Sequence, residues 1–439
     1  MRAKHNDRKV RRSPVRGDKW NSSSMAVTER CSSGPYLTDD MCSRDSQGIG
    51  SNIALLKVLI LFSQATSLKL SLDPRCFASP YHRTDLAYLF ENWSDPSCSY
   101  AEIQSLVRRK EVENWANLSN VRIIHVNMLG LEKERSAEID SICQVMTGVA
   151  DAPRALKKMK QLGNSPQSAS FHFLGAMQER NPKSIVYVHR MYYFHRIDTF
   201  RCTRKFIASK YWELYELHML NSSVGRTRVP VDRSELYISF HFRYGDTTDT
   251  RADAADVNAP NLERRIPLAD GIDAIKCVTG ITCASVFQGM PHKIFFISEN
   301  PTSNESVFSQ FFKEFPNAEQ RINTRKVESD LDLLGLSDVM IGGSSTFTAL
   351  AAALNLNGIN VVPYRQPKFW GILNRVSISD LVASSRNQSV AEEDISGDNP
   401  ITGAQGIQSF NKFVCGEHAE LYLNKDLSYE IKSKCNKHL

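Results

Sequence analysis

SDVMIGGSSTFTALAAALNLNG, residues 337–358, decides the fold: a short apolar strand, a Gly-Gly-Ser-Ser turn and an alanine-rich helix follow one another directly. Strand, glycine turn and helix in that order form the unit of a parallel sheet covered by helices, and they leave the helix N-terminus at the carboxyl edge of the sheet. Such an N-terminus offers backbone N–H groups and the positive end of the helix dipole, so it suits a phosphate. A second stretch, ELYISFHFRYGD at 235–246, is an apolar strand that ends by presenting His241, Arg243 and Asp246 around Gly245. Arginine there forks onto phosphate oxygens, and the glycine lets a ligand approach the backbone. Together the two stretches predict a nucleotide-sugar site.

The pattern continues outward. After strand 235–242 come a polar loop 247–265, a helix 267–277, a strand 293–298 and a helix 303–315. Strand 338–342, helix 345–356 and strand 359–363 follow. This alternation predicts an α/β domain with a parallel sheet over residues 232–385. A second Rossmann-like domain is expected over 41–225, with strands at 121–127 and 184–190 and helices around 100–116, 151–162 and 203–220. Its opening, SQGIGSN at 46–52, reads as a G-x-G turn that feeds a helix Ile53–Gln64 and a strand Ser67–Leu72. Residues 221–233, with Ser222, Ser223, Gly225 and Pro230, read as a linker. Residues 1–40 lack periodicity and read as a disordered basic N-terminal extension, and 386–439 as a C-terminal tail that packs back across the first domain.

Composition excludes several classes. Of 439 residues 41% are hydrophobic and 23% charged, enough for ordinary packed cores. Residues 1–20 hold eight of the 54 Lys and Arg and two of the 48 Asp and Glu, so the formal charge of +6 sits there and the body is neutral. A neutral body argues against nucleic acid as partner, because that binding needs a basic face. The N-terminus has no apolar core of a signal peptide, and the longest apolar run, Ile53 to Phe62, is short and interrupted by Lys57. The chain as given reads as soluble. Ten cysteines never form a C-x-x-C pair, which removes zinc-ribbon and thioredoxin readings. Cys277 with Cys283, and Cys415 with Cys435, are either local disulfides or buried free thiols, and spacing does not separate the two. N-x-S sequons at Asn21, Asn92, Asn117, Asn221, Asn304 and Asn387 permit glycosylation.

The candidate site residues follow from chemistry. Departure of a nucleoside diphosphate needs charge neutralisation at the leaving oxygens. Arg243 supplies it without a metal, His241 donates to phosphate or sugar, and Asp246 holds the loop. In Gly342-Gly343-Ser344-Ser345-Thr346 the glycines admit the phosphate, and the Ser345 and Thr346 amides and hydroxyls bond it; plain N-capping is the simpler alternative. Asp330-Leu331-Asp332 is a D-x-D, but RKVES before it and LLGL after it suit a loop entering a helix rather than a metal site. One carboxylate there accepts both N1–H and the 2-amino group of guanine. Gly48, Gly50 and Asn52 border the acceptor cleft. Glu299 and Asn300 stand where a ribose is read, and His189, Arg190 and His195 end another strand. For a general base only Asp73 and Asp45 offer themselves, both weakly.

On these residues the chain resembles the GDP-fucose-dependent fucosyltransferase superfamily of α-1,2, α-1,6 and protein O-fucosyltransferases. HFRYGD resembles its H-x-R-x-G-D type motif, whose arginine contacts the β-phosphate, which implies roles for Arg243 and His241. ESDLDLLGLSDVMIGGSSTF, 328–347, resembles the segment in which an aspartate reads guanine and serines hold phosphate, which implies Asp330, Ser345 and Thr346. QGIGSN resembles the G-x-G-N-Q turn of the acceptor-side domain, with Ser51 and Asn52 where Asn-Gln is usual. The resemblance implies a GT-B fold of two facing Rossmann-like domains. It also implies inverting, metal-independent transfer of fucose from GDP-fucose, with no further cofactor, to a glycan or glycoprotein hydroxyl. A Golgi or ER lumen location is implied as well; no targeting segment or anchor is visible, and a cytoplasmic place stays open. The alternatives are a transferase of another nucleotide sugar and a catalytically silent sugar-nucleotide or glycan-binding protein.

Overall fold

The computed structural model describes residues 31, 35–39, 49–73, 78–79, 84–85, 90–111, 122–127, 132–146, 152–166, 168–178, 184–189, 200–220, 234–244, 266–299, 308–322, 327–363, 372, 374–386, 410–411, 414–415 and 434–435. In its first half the order is β1 (Tyr36–Asp39), α1 (Ile49–Thr66), β2 (Lys69–Leu70), β3 (Ala78–Ser79), β4 (Thr84–Asp85) and α2 (Tyr100–Glu111). Then come β5 (Arg122–Asn127), α3 (Glu132–Gln144), α4 (Ala152–Leu162), α5 (Ala169–Gln178), β6 (Ser184–His189) and α6 (Phe200–Leu220). The second half runs β7 (Leu236–Phe242), α7 (Leu268–Val278), β8 (His292–Ser298), α8 (Ser309–Glu314), β9 (Glu319–Ile322) and α9 (Val327–Leu336). It closes with β10 (Val339–Gly342), α10 (Thr346–Leu354), β11 (Ile359–Val362), β12 (Arg375–Ser377) and α11 (Ile378–Ser385). The architecture is mixed α/β with two parallel sheets, ordered β2-β1-β6-β5 and β12-β11-β10-β7-β8-β9 among the described strands.

Strand β7 shows why the second sheet forms. Leu236, Ile238, Phe240 and Phe242 enter one core with α7, α8 and α11, while the alternate residue Tyr237 enters the other core with α9 and α10. A strand buried on both faces belongs inside a parallel sheet. Phe240 stacks on Phe311 and meets Phe296 edge-on, and a Cβ at Gly271 would lie 2.2 Å from the Phe240 ring. Only glycine lets α7 approach that closely.

The first sheet corrects the reading of residues 1–40. Tyr36–Asp39 forms an inner strand between β2 and β6, with Tyr36, Leu37 and Thr38 buried, and Cys31 is bonded to Cys98. The folded part therefore begins ahead of Met41. The helix expected from Ile53 starts at Ile49, so Gly50 and Asn52 stand in a first helical turn rather than in a G-x-G turn. At its other end Ser67 takes a left-handed φ of 57° and stops the helix, and only Lys69–Leu70 of the expected strand pairs.

One continuous apolar core joins the two sheets. It gathers Leu56, Val58–Phe62 of α1 and Ile207, Ala208 and Tyr211 of α6 together with Leu331, Leu334 and Ala349–Leu354 of α9 and α10. The alanines of α10 are 0–2% exposed and let α1 lie close on its outer face. Buried Lys57 places its Nζ 4.7 Å from the Phe200 ring centroid, a cation held against an aromatic face. The C-terminal tail is a second correction. Its described residues Phe410, Val414 and Cys435 pack into the core of the second sheet, Phe410 edge-on to Phe287 at 5.5 Å. Val286 N donates to Asn411 Oδ1 at 3.2 Å beside it.

Candidate functional site

In the second sheet the chain starts at β7, steps outward to β8 and β9, then crosses back to β10 on the other side of β7 and steps outward to β11 and β12. The direction of winding reverses between β7 and β10. The helices that follow β7 and β10 pack on opposite faces of the sheet, and in open α/β sheets the carboxyl ends of the strands at such a switch point are where ligands bind. His241 pairs with Gly342 across that seam, so the two stretches singled out by sequence meet at one point.

The face of each residue is set by alternation. His241 follows Tyr237 and Ser239 onto the α10 side of β7, where its Nδ1 lies 2.8 Å from Thr348 Oγ1 and its ring 5.2 Å from Phe347. Half-buried Arg243 lies two residues on, at the strand's carboxyl end. Ser345 caps α10: its Oγ accepts from Thr348 N at 2.9 Å and lies 2.7 Å from Thr348 Oγ1. The polar chain His241–Thr348–Ser345 thus stitches strand β7 to the helix N-terminus, with Ser345 and Thr348 nearly inaccessible.

This geometry revises two roles. Ser345 N donates to Gly343 O at 2.8 Å and its hydroxyl is the cap, so the capping alternative holds for this side chain. A Cβ at Gly342 would lie 2.5 Å from Thr348 Cγ2, so the threonine alone already calls for glycine there. Ser344 is buried and Thr346 half-buried at the same rim. Thr348 itself was missed, although its place three residues after a capping serine is the sequence signal for the N–H that such a cap receives.

The D-x-D carboxylates diverge. Asp330 Oδ1 accepts from Arg321 Nε at 2.8 Å, whereas fully buried Asp332 accepts from the Tyr211 hydroxyl at 2.6 Å. Two neighbours on a helix point about 200° apart, so the pair does not converge on one ion. Asp330 stands in the first turn of α9, held by a guanidinium from β9. Glu299 is exposed just past β8. Asp73 is buried just past β2. Gly50 and Asn52 lie at the start of α1, and His189 ends β6. Gly48, Asp45, Arg190, His195, Asp246 and Asn300 lie outside the described residues.

The eight described cysteines form Cys31–Cys98, Cys143–Cys202, Cys277–Cys283 and Cys415–Cys435 disulfides, which decides the open question for the last two pairs. Asn92 is the one sequon asparagine among the described residues. Its Nδ2 donates to Lys210 O at 3.2 Å and Glu213 Oε2 at 3.3 Å on α6.

No protein-family model and no curated protein matches the chain. Among solved structures it is similar to POFUT1 in complex with GDP, at 10% identity and a TM-score of 0.37 over 75% of this chain and 99% of that one. It is also similar to a mutant of Arabidopsis thaliana FUT1 in complex with GDP, at 12% identity and 0.35 over 78% and 74%. A third is a glycosyl transferase family 9 protein from Veillonella parvula, at 10% and 0.34 over 92% and 98%. Likeness this distant leaves the reading of function to the chain's own residues.

Proposed function

We propose that the chain is a GT-B glycosyltransferase that binds GDP-fucose at the β7–β10 seam and transfers fucose to a glycan or protein hydroxyl with inversion and without a metal. The observation that supports this reading is the meeting of His241 with the N-terminus of α10 at the switch point of a parallel sheet, with Arg243 two residues on at the carboxyl end of the same strand. Cleaving the sugar–phosphate bond builds an oxocarbenium-like sugar and a diphosphate whose charge must be met as it grows. A guanidinium and a helix N-terminus fixed beforehand meet it with no reorganisation at the moment of reaction.

Within that scheme Arg243 neutralises the leaving phosphate, and His241 is oriented by Thr348 to donate to phosphate or sugar. Ser344 and Thr346 line the rim, Asp246 orders the loop after the strand, and Asp330, steadied by Arg321, reads guanine. Gly48, Gly50 and Asn52 border the acceptor. The disulfides support folding in an oxidising compartment such as the ER or Golgi lumen.

Calorimetry with GDP, UDP and ADP tests the donor. GDP is expected to bind best, and Arg243→Ala to abolish that binding; equal affinity for the three nucleotides would refute the guanine assignment. Labelled GDP-fucose with an acceptor array then separates a transferase, which gives labelled product, from a silent binding protein, which gives none.

A further inference from the structure

The anion-binding end of α10 has an opposite end, and the structure gives it to another part of the chain. An α-helix leaves its last four carbonyls without intrahelical donors. In α10 these belong to Ala351, Ala352, Ala353 and Leu354, followed by Asn355 at the cap. Asn355 N donates back to Ala351 O at 2.9 Å. Arg204 Nε donates to Ala353 O at 3.1 Å, and its Nη2 donates to Ala352 O at 3.0 Å and Asn355 O at 2.6 Å. Trp212 Nε1 donates to Leu354 O at 3.0 Å. Both side chains come from α6, the helix that follows the last strand of the first sheet.

The same helix is seated firmly against its neighbours. Tyr211 holds Asp332 of α9, and the Trp212 ring sits where a Cβ at Gly335 would lie 2.8 Å from its Cζ2. Arg204 is 8% exposed, so its charge is little screened by water, and it bonds the last carbonyls of a nine-residue helix. A cation at that end offsets the negative pole of the helix and leaves the positive pole to act on an anion at the other.

We infer that Arg204 is a positioning residue for the diphosphate: from α6 it fixes the depth and the polarity of α10, whose far end faces the leaving group. This rests on the nucleotide-sugar reading of the seam. It makes phosphate affinity a property of both sheets, although Arg204 touches no phosphate itself.

The test compares the full-length protein with Arg204→Met, which keeps the apolar stem, and Arg204→Lys, which keeps the charge and loses the fork. The probes are GDP, inorganic pyrophosphate and guanosine, titrated calorimetrically. Arg204→Met is expected to weaken GDP and pyrophosphate in parallel by about five- to twentyfold and to leave guanosine unchanged, with Arg204→Lys between it and the native chain. Unchanged pyrophosphate affinity, or an equal loss for guanosine, overturns the inference while the seam assignment stands. A native chain that binds neither GDP nor pyrophosphate removes the seam assignment and the inference with it. Should Arg204→Met fail to give a cooperative melt, Trp212→Phe removes one carbonyl donor alone. A two- to fourfold loss of pyrophosphate is then expected (on the order of a few tenths of a kcal/mol to 1 kcal/mol), and no loss overturns it.

Discussion

Replacing Thr348 separates shape from hydrogen bonding at the seam. The hydroxyl lies 2.8 Å from His241 Nδ1 and 2.7 Å from Ser345 Oγ, and the methyl packs against the space a side chain at Gly342 would occupy. Thr348→Val keeps the outline but puts a methyl where two polar atoms approach to hydrogen-bond distance. Two bonds of about 0.5–1.5 kcal/mol each are lost, and a half-buried ring nitrogen loses this contact, for a total of about 1–3 kcal/mol. Thr348→Ser keeps both bonds and removes one buried methyl, at about 1 kcal/mol. Urea unfolding read by circular dichroism should therefore rank native, Ser, Val in falling stability, with GDP affinity lost in Val and retained in Ser. A packing role alone predicts the reverse ranking, so a valine variant as stable as native beside a weaker serine variant would refute the polar chain.

Ser67 ends α1 at a φ of 57°, so Ser67→Gly should be neutral to about 1 kcal/mol stabilising in the same assay, and Ser67→Val should cost about 1–2 kcal/mol. Asp95, whose N–H bonds Leu70 O of β2, is an acid-sensitive group. Burial raises its pKa, but bonds from the Ser97 hydroxyl and amide and an ion pair with Lys69 at 3.0 Å outweigh that and hold it below the ordinary value. With the folded value the lower one, its stabilisation is complete above about pH 4 and is lost as pH falls through the depressed value. Asp95→Asn should accordingly flatten the acid limb of the stability–pH curve below about pH 4 and leave its slope near neutrality unchanged.

Four strands of the second sheet were legible because they are apolar runs largely buried on both faces, whereas the polar, half-exposed edge strand β9 and the three-residue β12 carried no such signal. Leu236–Phe242, His292–Ser298, Val339–Gly342 and Ile359–Val362 fall within a residue of the ranges read from sequence. Strand Tyr36–Asp39 escaped because four residues with two apolar side chains carry no period, and its burial is supplied by α1, α2 and β6 far along the chain. At the site, the meeting of His241 with Gly342 follows from strand order, and the motifs alone suggested it. The split of Asp330 from Asp332 did not follow, since it depends on Arg321 and Tyr211, residues with no motif of their own. Thr348 hid among the hydroxyls of GGSSTFT, where only the cap's three-residue step distinguishes it.

The Cys143–Cys202 bridge ties α3 to α6 two residues before Arg204, and both sulfurs are buried. The guanidinium that bonds the last carbonyls of α10 is thereby anchored by a covalent bond made only under oxidising conditions. Material produced in a reducing cytosol would start α6 from a loose end, and its nucleotide affinity would report on how the preparation was oxidised as much as on the residues at the seam.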